Sequence, residues 1–192
     1  GHHHHAPPGD WRYGLALVIN LTFVAVEFVY GLLAGSTALV ADAGHNLSDV
    51  LGLALAGGAA WLARRAPSRR RTYGFRKATV LAALGNAVLL IFVCGAIAIE
   101  ASHRLTAPPQ VASSTVMIVA GVGFVLNLGT ALLFMSARHH DLNARGAWLH
   151  MLSDAAVSLG VVVAGGLIFL TGWSWIDPVT GLLIVAVILW GT

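Results

Sequence analysis

His45-Asn46-Leu47-Ser48-Asp49 and His150-Met151-Leu152-Ser153-Asp154 repeat one pattern, a histidine followed four positions later by an aspartate. Each copy lies inside a long apolar segment. On a helix, residues four apart stand one above the other on a common face. Each segment therefore presents an imidazole nitrogen and a carboxylate oxygen on the same side. Two such helices facing each other would offer two nitrogens and two oxygens, a donor set suited to tetrahedral Zn²⁺. Ionisable groups at membrane depth are costly, which makes them functional candidates by default.

The surrounding composition makes the bilayer the solvent. The 192 residues are 57% hydrophobic and 10% charged, with a mean hydropathy of +0.80. A soluble domain carries about 25% charged residues. The net charge of +3 does not point to nucleic acid, because the basic residues bunch at helix ends, as in membrane proteins. The one cysteine, Cys94, lies in an apolar run and reads as a buried small hydrophobe. Residues 1–11 form a His-rich tail, in which His2-His3-His4-His5 reads as a tag remnant more readily than as a natural metal-collecting arm.

The expected fold is an all-α membrane protein of six transmembrane helices over residues 12–192. The spans are expected near Tyr13–Leu33, Thr37–Ala63, Ala78–Ser102, Ser114–Ser136, Ala144–Leu170 and Pro178–Trp190, each close to the roughly 20 residues that cross a bilayer, or somewhat shorter. Arg64, Arg65, Arg69, Arg70, Arg71, Arg76 and Lys77 fill the connection between the second and third spans, and Arg138 and Arg145 flank that between the fourth and fifth. With six spans, these and Arg12 share one side and Arg104 stands alone on the other. The positive-inside rule then places both termini in the cytoplasm. Six tryptophans sit mostly near predicted helix ends, as interfacial anchors do. The two motifs fall two to three turns from opposite faces of the membrane, so both reach its middle at about 1.5 Å per residue.

Other polar residues are weaker candidates. Asp42 shares a face with His45 and Asp49 and could orient an imidazole or line an exit. Glu27 and Asn20 share a face of the first helix and could line a pathway. Asp177 precedes Pro178 and reads either as a pathway residue or as a helix N-cap. His139-His140-Asp141 is a candidate for metal capture at the cytosolic mouth. Gly57-Gly58 and Gly165-Gly166 permit close helix approach. No HExxH, HxxEH, GxSxG or P-loop motif occurs, which argues against an enzyme.

Ser36-Thr37-Ala38-Leu39-Val40-Ala41-Asp42-Ala43-Gly44-His45-Asn46-Leu47-Ser48-Asp49 and His150-Met151-Leu152-Ser153-Asp154, with Tyr73-Gly74-Phe75-Arg76 and Asp177, resemble the membrane domain of the cation diffusion facilitator family, zinc-transporting branch. The resemblance implies a proton-coupled exporter that moves Zn²⁺ out of the cytosol by alternating access, usually as a homodimer. By motif match, His45, Asp49, His150 and Asp154 take the metal-site positions, with H⁺ as the counter-ion. The alternatives are an exporter of Cd²⁺, Co²⁺ or another divalent ion, a non-transporting zinc sensor or scaffold, and, more distantly, an intramembrane metalloenzyme. Family members usually carry a cytoplasmic metal-binding domain after the sixth helix. The sequence stops at Trp190-Gly191-Thr192, so that domain is expected to be absent, by nature or by truncation. The stretch from Arg64 to Lys77 has no His, Cys, Asp or Glu, so no second metal site is expected there. Ten arginines against one lysine hint at a GC-rich bacterial genome and an inner membrane.

Overall fold

The computed structural model describes residues 11–64, 72–135 and 142–191. Among them the only regular elements are helices: α1 (Trp11–Ala34), α2 (Thr37–Arg64), α3 (Thr72–Thr106), α4 (Ser113–Met135), α5 (Leu142–Thr171) and α6 (Ile176–Gly191). The bounds follow the sequence expectation within a few residues, except that α3 starts at Thr72 and not near Ala78. Tyr73-Gly74-Phe75-Arg76 is therefore helical, and the basic connection shortens to residues 65–71. That connection, the His2–His5 run and Arg138-His139-His140-Asp141 lie outside the described residues.

Three connections gather at one end of the bundle. Gly35 ends α1 in the left-handed conformation, with φ of 65°, which glycine adopts without a Cβ clash. Ser36 N–H donates to Gly31 O (2.9 Å) and Gly35 N–H to Leu32 O (3.2 Å), the pairing of a Schellman cap. After α3, Pro108 and Pro109 stop helical propagation. The chain is then strapped back where Ala112 N–H donates to Ala34 O (3.0 Å). Arg104 adds a second strap, its Nη1 donating to Gly35 O (2.6 Å) while Nε is held by Glu100 (2.8 Å). The α5–α6 connection turns at Gly172, φ 72°, and stacks Trp173 on Trp175 with ring centroids 6.1 Å apart.

Asp177 ties this end together. It is 1% exposed and accepts from Ser36 Oγ (2.6 Å), Thr37 N–H (2.7 Å) and Ala38 N–H (3.4 Å). Ser36 Oγ in turn accepts from Leu39 N–H (3.1 Å). A helix start leaves four N–H groups without intrahelical partners, and its dipole favours negative charge there. Asp177 meets both needs for α2. It lies within the first turn of α6, so it serves α2 and is not the N-cap of its own helix. The competing demand came from another helix, whose position only packing reveals.

With the α1–α2, α3–α4 and α5–α6 connections at one end, successive helices run antiparallel. The shared core holds Leu39 and Ala41 of α2, Cys94 and Ile97 of α3, Val116 and Ala120 of α4, Val161 of α5, and Ile184 and Ile188 of α6. Cys94 is buried and unpaired, as its apolar run suggests. Small residues set the helix spacing. A Cβ on Gly165 would stand 2.9 Å from Met117 Cγ, so α5 approaches α4 closely, whereas one on Gly58 would meet nothing within 4 Å.

The outer surface is apolar, with Leu33, Phe92, Phe169 and Leu170 among many exposed large side chains. A soluble protein does not carry contiguous patches on this scale. Among the described residues, four stretches are long and apolar enough to cross a membrane: Leu17–Ala34, Val80–Thr106, Ser113–Leu132 and Trp148–Thr171. Of the other two helices, α6 has 16 residues, about 24 Å at 1.5 Å per residue, and α2 has 28 residues with Asp42, His45, Asn46 and Asp49 in its first half.

The Asp177 tie should be measurable. Asp177→Ala strands buried donors at the start of α2, at a cost of about 3 kcal/mol. Thermal unfolding in detergent, followed by helical circular dichroism, should show a lower midpoint for Asp177→Ala and a smaller drop for Asp177→Asn, which keeps an acceptor. An unchanged midpoint in both would mean that the tie contributes no stability.

Candidate metal centre

His45 and His150 each lie a little over two turns into their helix, as do Asp49 and Asp154 one turn further on, at about 3.6 residues per turn. Because α2 and α5 are antiparallel, the histidine of each helix meets the aspartate of the other. His45 Nε2 lies 2.9 Å from Asp154 Oδ1, and His150 Nε2 lies 3.4 Å from Asp49 Oδ1. The pairs within each helix are longer: His45 Nε2 to Asp49 Oδ2 is 3.7 Å and His150 Nε2 to Asp154 Oδ2 is 3.5 Å. The four side chains make a closed ring in which imidazoles and carboxylates alternate.

The ring is uneven. Ligand atoms of His45, Asp49 and Asp154 all lie within 4.8 Å of one another. His150 joins through the two carboxylates and is the most open member, with its side chain 48% exposed against 6% for Asp154. Asp49 Oδ2 is buried without a hydrogen-bond partner. A buried bare carboxylate oxygen is expensive in an apolar setting, and a cation held by the ring would satisfy it. The donor set of two nitrogens and two oxygens fits Zn²⁺ and its neighbours better than the hard, all-oxygen ions.

The weaker candidates separate. Asp42 is fully buried and accepts from Ser158 Oγ at 3.2 Å, which ties α2 to α5 one turn beyond Asp154. Glu27 is also fully buried and accepts from Asn46 Nδ2 at 3.0 Å. Neither makes a hydrogen bond to the ring, so Asp42 does not orient His45 by direct contact. Asn20 does not join the cluster: it shares the helix face of Glu27 but is exposed, because two turns along α1 carry it about 10 Å away. Asp177 belongs to the α2 cap. Asn46 and Ser158 went unnoticed in the sequence; the signal was their placement one and four residues beyond a motif residue.

The chain is similar to known proteins over most of its length. Residues 14–192 match the cation efflux transmembrane domain family. The chain is 38% identical to the metal cation efflux system protein CzcD of Cupriavidus metallidurans over 185 residues, covering 96% of this chain and 58% of that protein. It is 38% identical to the zinc transporter ZitB of Escherichia coli over 175 residues, 91% of this chain and 56% of that protein. It is 34% identical to the cadmium, cobalt and zinc/H⁺-K⁺ antiporter of Bacillus subtilis over 191 residues, 98% of this chain and 61% of that protein. The chain thus spans about three fifths of the length of these curated relatives. A family match that begins within α1 and runs through α6, on a bundle of long apolar helices, makes the chain a multi-pass integral membrane protein that belongs to the cation efflux, or cation diffusion facilitator, family.

Proposed function

We propose that this chain is the transport domain of a proton-coupled exporter of divalent cations, with Zn²⁺ as the principal substrate. The observation that carries the proposal is the closed ring of His45, Asp154, His150 and Asp49 at the α2–α5 crossing. In this reading all six helices span the membrane, both termini are cytoplasmic, the unit is a homodimer, and the membrane is a bacterial plasma membrane. The bacterial origin of the relatives supports the last point.

The chemistry of the ring supplies the exchange. Metal binding needs neutral imidazoles and ionised carboxylates, so protons and Zn²⁺ compete for the same atoms. An unperturbed imidazole titrates near pH 6.5, within the physiological range. One half-cycle carries the ion outward on the four side chains, and the other returns with protons on them. His150, the most open member, is the first point of access for an incoming ion.

A second reading has a specific support. The Bacillus subtilis relative is named for cadmium and cobalt as well as zinc, and imidazole–carboxylate sites accept those ions. The chain would then export several divalent metals without favouring Zn²⁺. A non-transporting sensor or scaffold would bind metal at a closed site and show no flux.

Zn²⁺ flux into proteoliposomes holding an internal pH dye tests the proposal. Zn²⁺ entry with opposite proton movement is expected in the wild type, and both should vanish in Asp154→Ala. Tight binding without flux in the wild type would favour the sensor. By calorimetry, Zn²⁺ affinity should fall as the pH drops from about 7.5 to about 5.5, because protonation of the imidazoles removes two donors; a flat profile would separate the proton from the ring. Metal choice is tested by His45→Asp, which shifts the donor set towards oxygen and should admit Mn²⁺ alongside Zn²⁺ and Cd²⁺. An unchanged order of preference would place selectivity outside the ring.

A further inference from the structure

Glu27 of α1 and Asp42 of α2 are both 0% exposed, and the Glu27 carboxyl reaches Asn46, which lies four residues beyond Asp42 on the same face of α2, so the two acids are enclosed at neighbouring turns of one helix contact. Each has one outside donor: Asn46 Nδ2 reaches Glu27 Oε2 at 3.0 Å, and Ser158 Oγ reaches Asp42 Oδ2 at 3.2 Å. The remaining oxygens, Glu27 Oε1 and Asp42 Oδ1, have no donor. Among the described residues, neither group is ion-paired with a lysine or arginine. The ionisable neighbours that act on Asp42 besides Glu27 are His45 on its own helix and Asp154 on α5, and Glu27 faces Asp42 and Asn46.

Two ionised carboxylates in this setting would place two like charges side by side in a low dielectric, with two bare oxygens. Like charges so close do not both ionise. One proton corrects both defects. It halves the charge, and it supplies the hydrogen that the two bare oxygens lack, forming a short charge-assisted O–H···O bond.

We propose that Glu27 and Asp42 form a proton-binding site separate from the His/Asp ring, holding one proton shared between the two carboxyls. The site joins three helices, because Glu27 is on α1, Asp42 and Asn46 are on α2, and Ser158 is on α5. It lies one turn from the ring towards the Gly35 end of α2. Drawing α1 away from α2 would break the pair and free the proton. Within the transport reading this makes the pair a second store of the exchanged proton, and the proton site itself stands without that reading.

Infrared spectroscopy of the lipid-reconstituted chain, without metal, tests the site. At about pH 7 an ordinary aspartate or glutamate is almost wholly ionised, so a protonated-carboxyl C=O band there marks an unusual group. The wild type should show such a band, and Asp154→Asn should keep it. Glu27→Gln and Asp42→Asn should each lose it, because the new amide N–H takes the place of the shared proton and lets the partner ionise. Absence of the band in the wild type, or its survival in either amide variant, overturns the shared proton. Helical circular dichroism checks that the variants fold; should one not fold, the band in the wild type and in Asp154→Asn decides. Flux plays no part in the readout, so failure of the transport reading and failure of the proton site would be seen separately.

Discussion

A carboxylate without water must find hydrogen atoms or cations within the protein, and that requirement arranges the polar interior of this bundle. Among the described residues, the charged side chains buried between the helices are acids: Glu27, Asp42, Asp154 and Asp177. Each draws on the donors within its reach, and Glu27 and Asp42 keep one bare oxygen each. Asp177 takes the free N–H groups at the start of α2, Asp154 takes the imidazoles, and Asp42 and Glu27 take a serine and an asparagine. In hydrocarbon, where every polar group must be satisfied internally, these contacts decide which helices can lie side by side.

The arrangement separates anchoring from chemistry along α2. Its first turn is held by Asp177 and Ser36, with the Gly35 turn, the Arg104 strap and the Ala112 strap gathered at the same end. One to two turns further in come Asp42 and then the ring residues, with fewer ties. A helix fixed at one end and held at its middle by exchangeable partners suits the exchange of metal and protons proposed for the ring. The glycine contact at Gly165 packs α5 on α4, so the two helices that carry the ring are each backed by a separate neighbour.

Antiparallel pairing accounts for the form of the ring. Two copies of one motif on parallel helices would set imidazole against imidazole and carboxylate against carboxylate, doubling like charge at each level. Reversing one helix sets each imidazole against a carboxylate, and the distances between helices, 2.9 and 3.4 Å, are shorter than those within them. The twofold sequence pattern and the up-and-down order of the helices together make a compact tetradentate cluster.

Much of this was legible in the sequence, because apolar run length and motif spacing are local properties. Six helices, their approximate bounds and the four ring residues follow from hydropathy and from the 3.6-residue period of a helix. The Gly35 turn and the proline stop after α3 are likewise written in residue type. Partner choice is not local. That Asp177 caps α2 and not its own helix, that Asn20 faces outward while Glu27 is enclosed, and that Glu27 and Asp42 meet each other short of two donors all depend on how helices far apart in sequence are laid together. Spacing tells which residues share a face; only packing tells what that face meets, and in a medium without water the energy of a buried acid is set by what it meets.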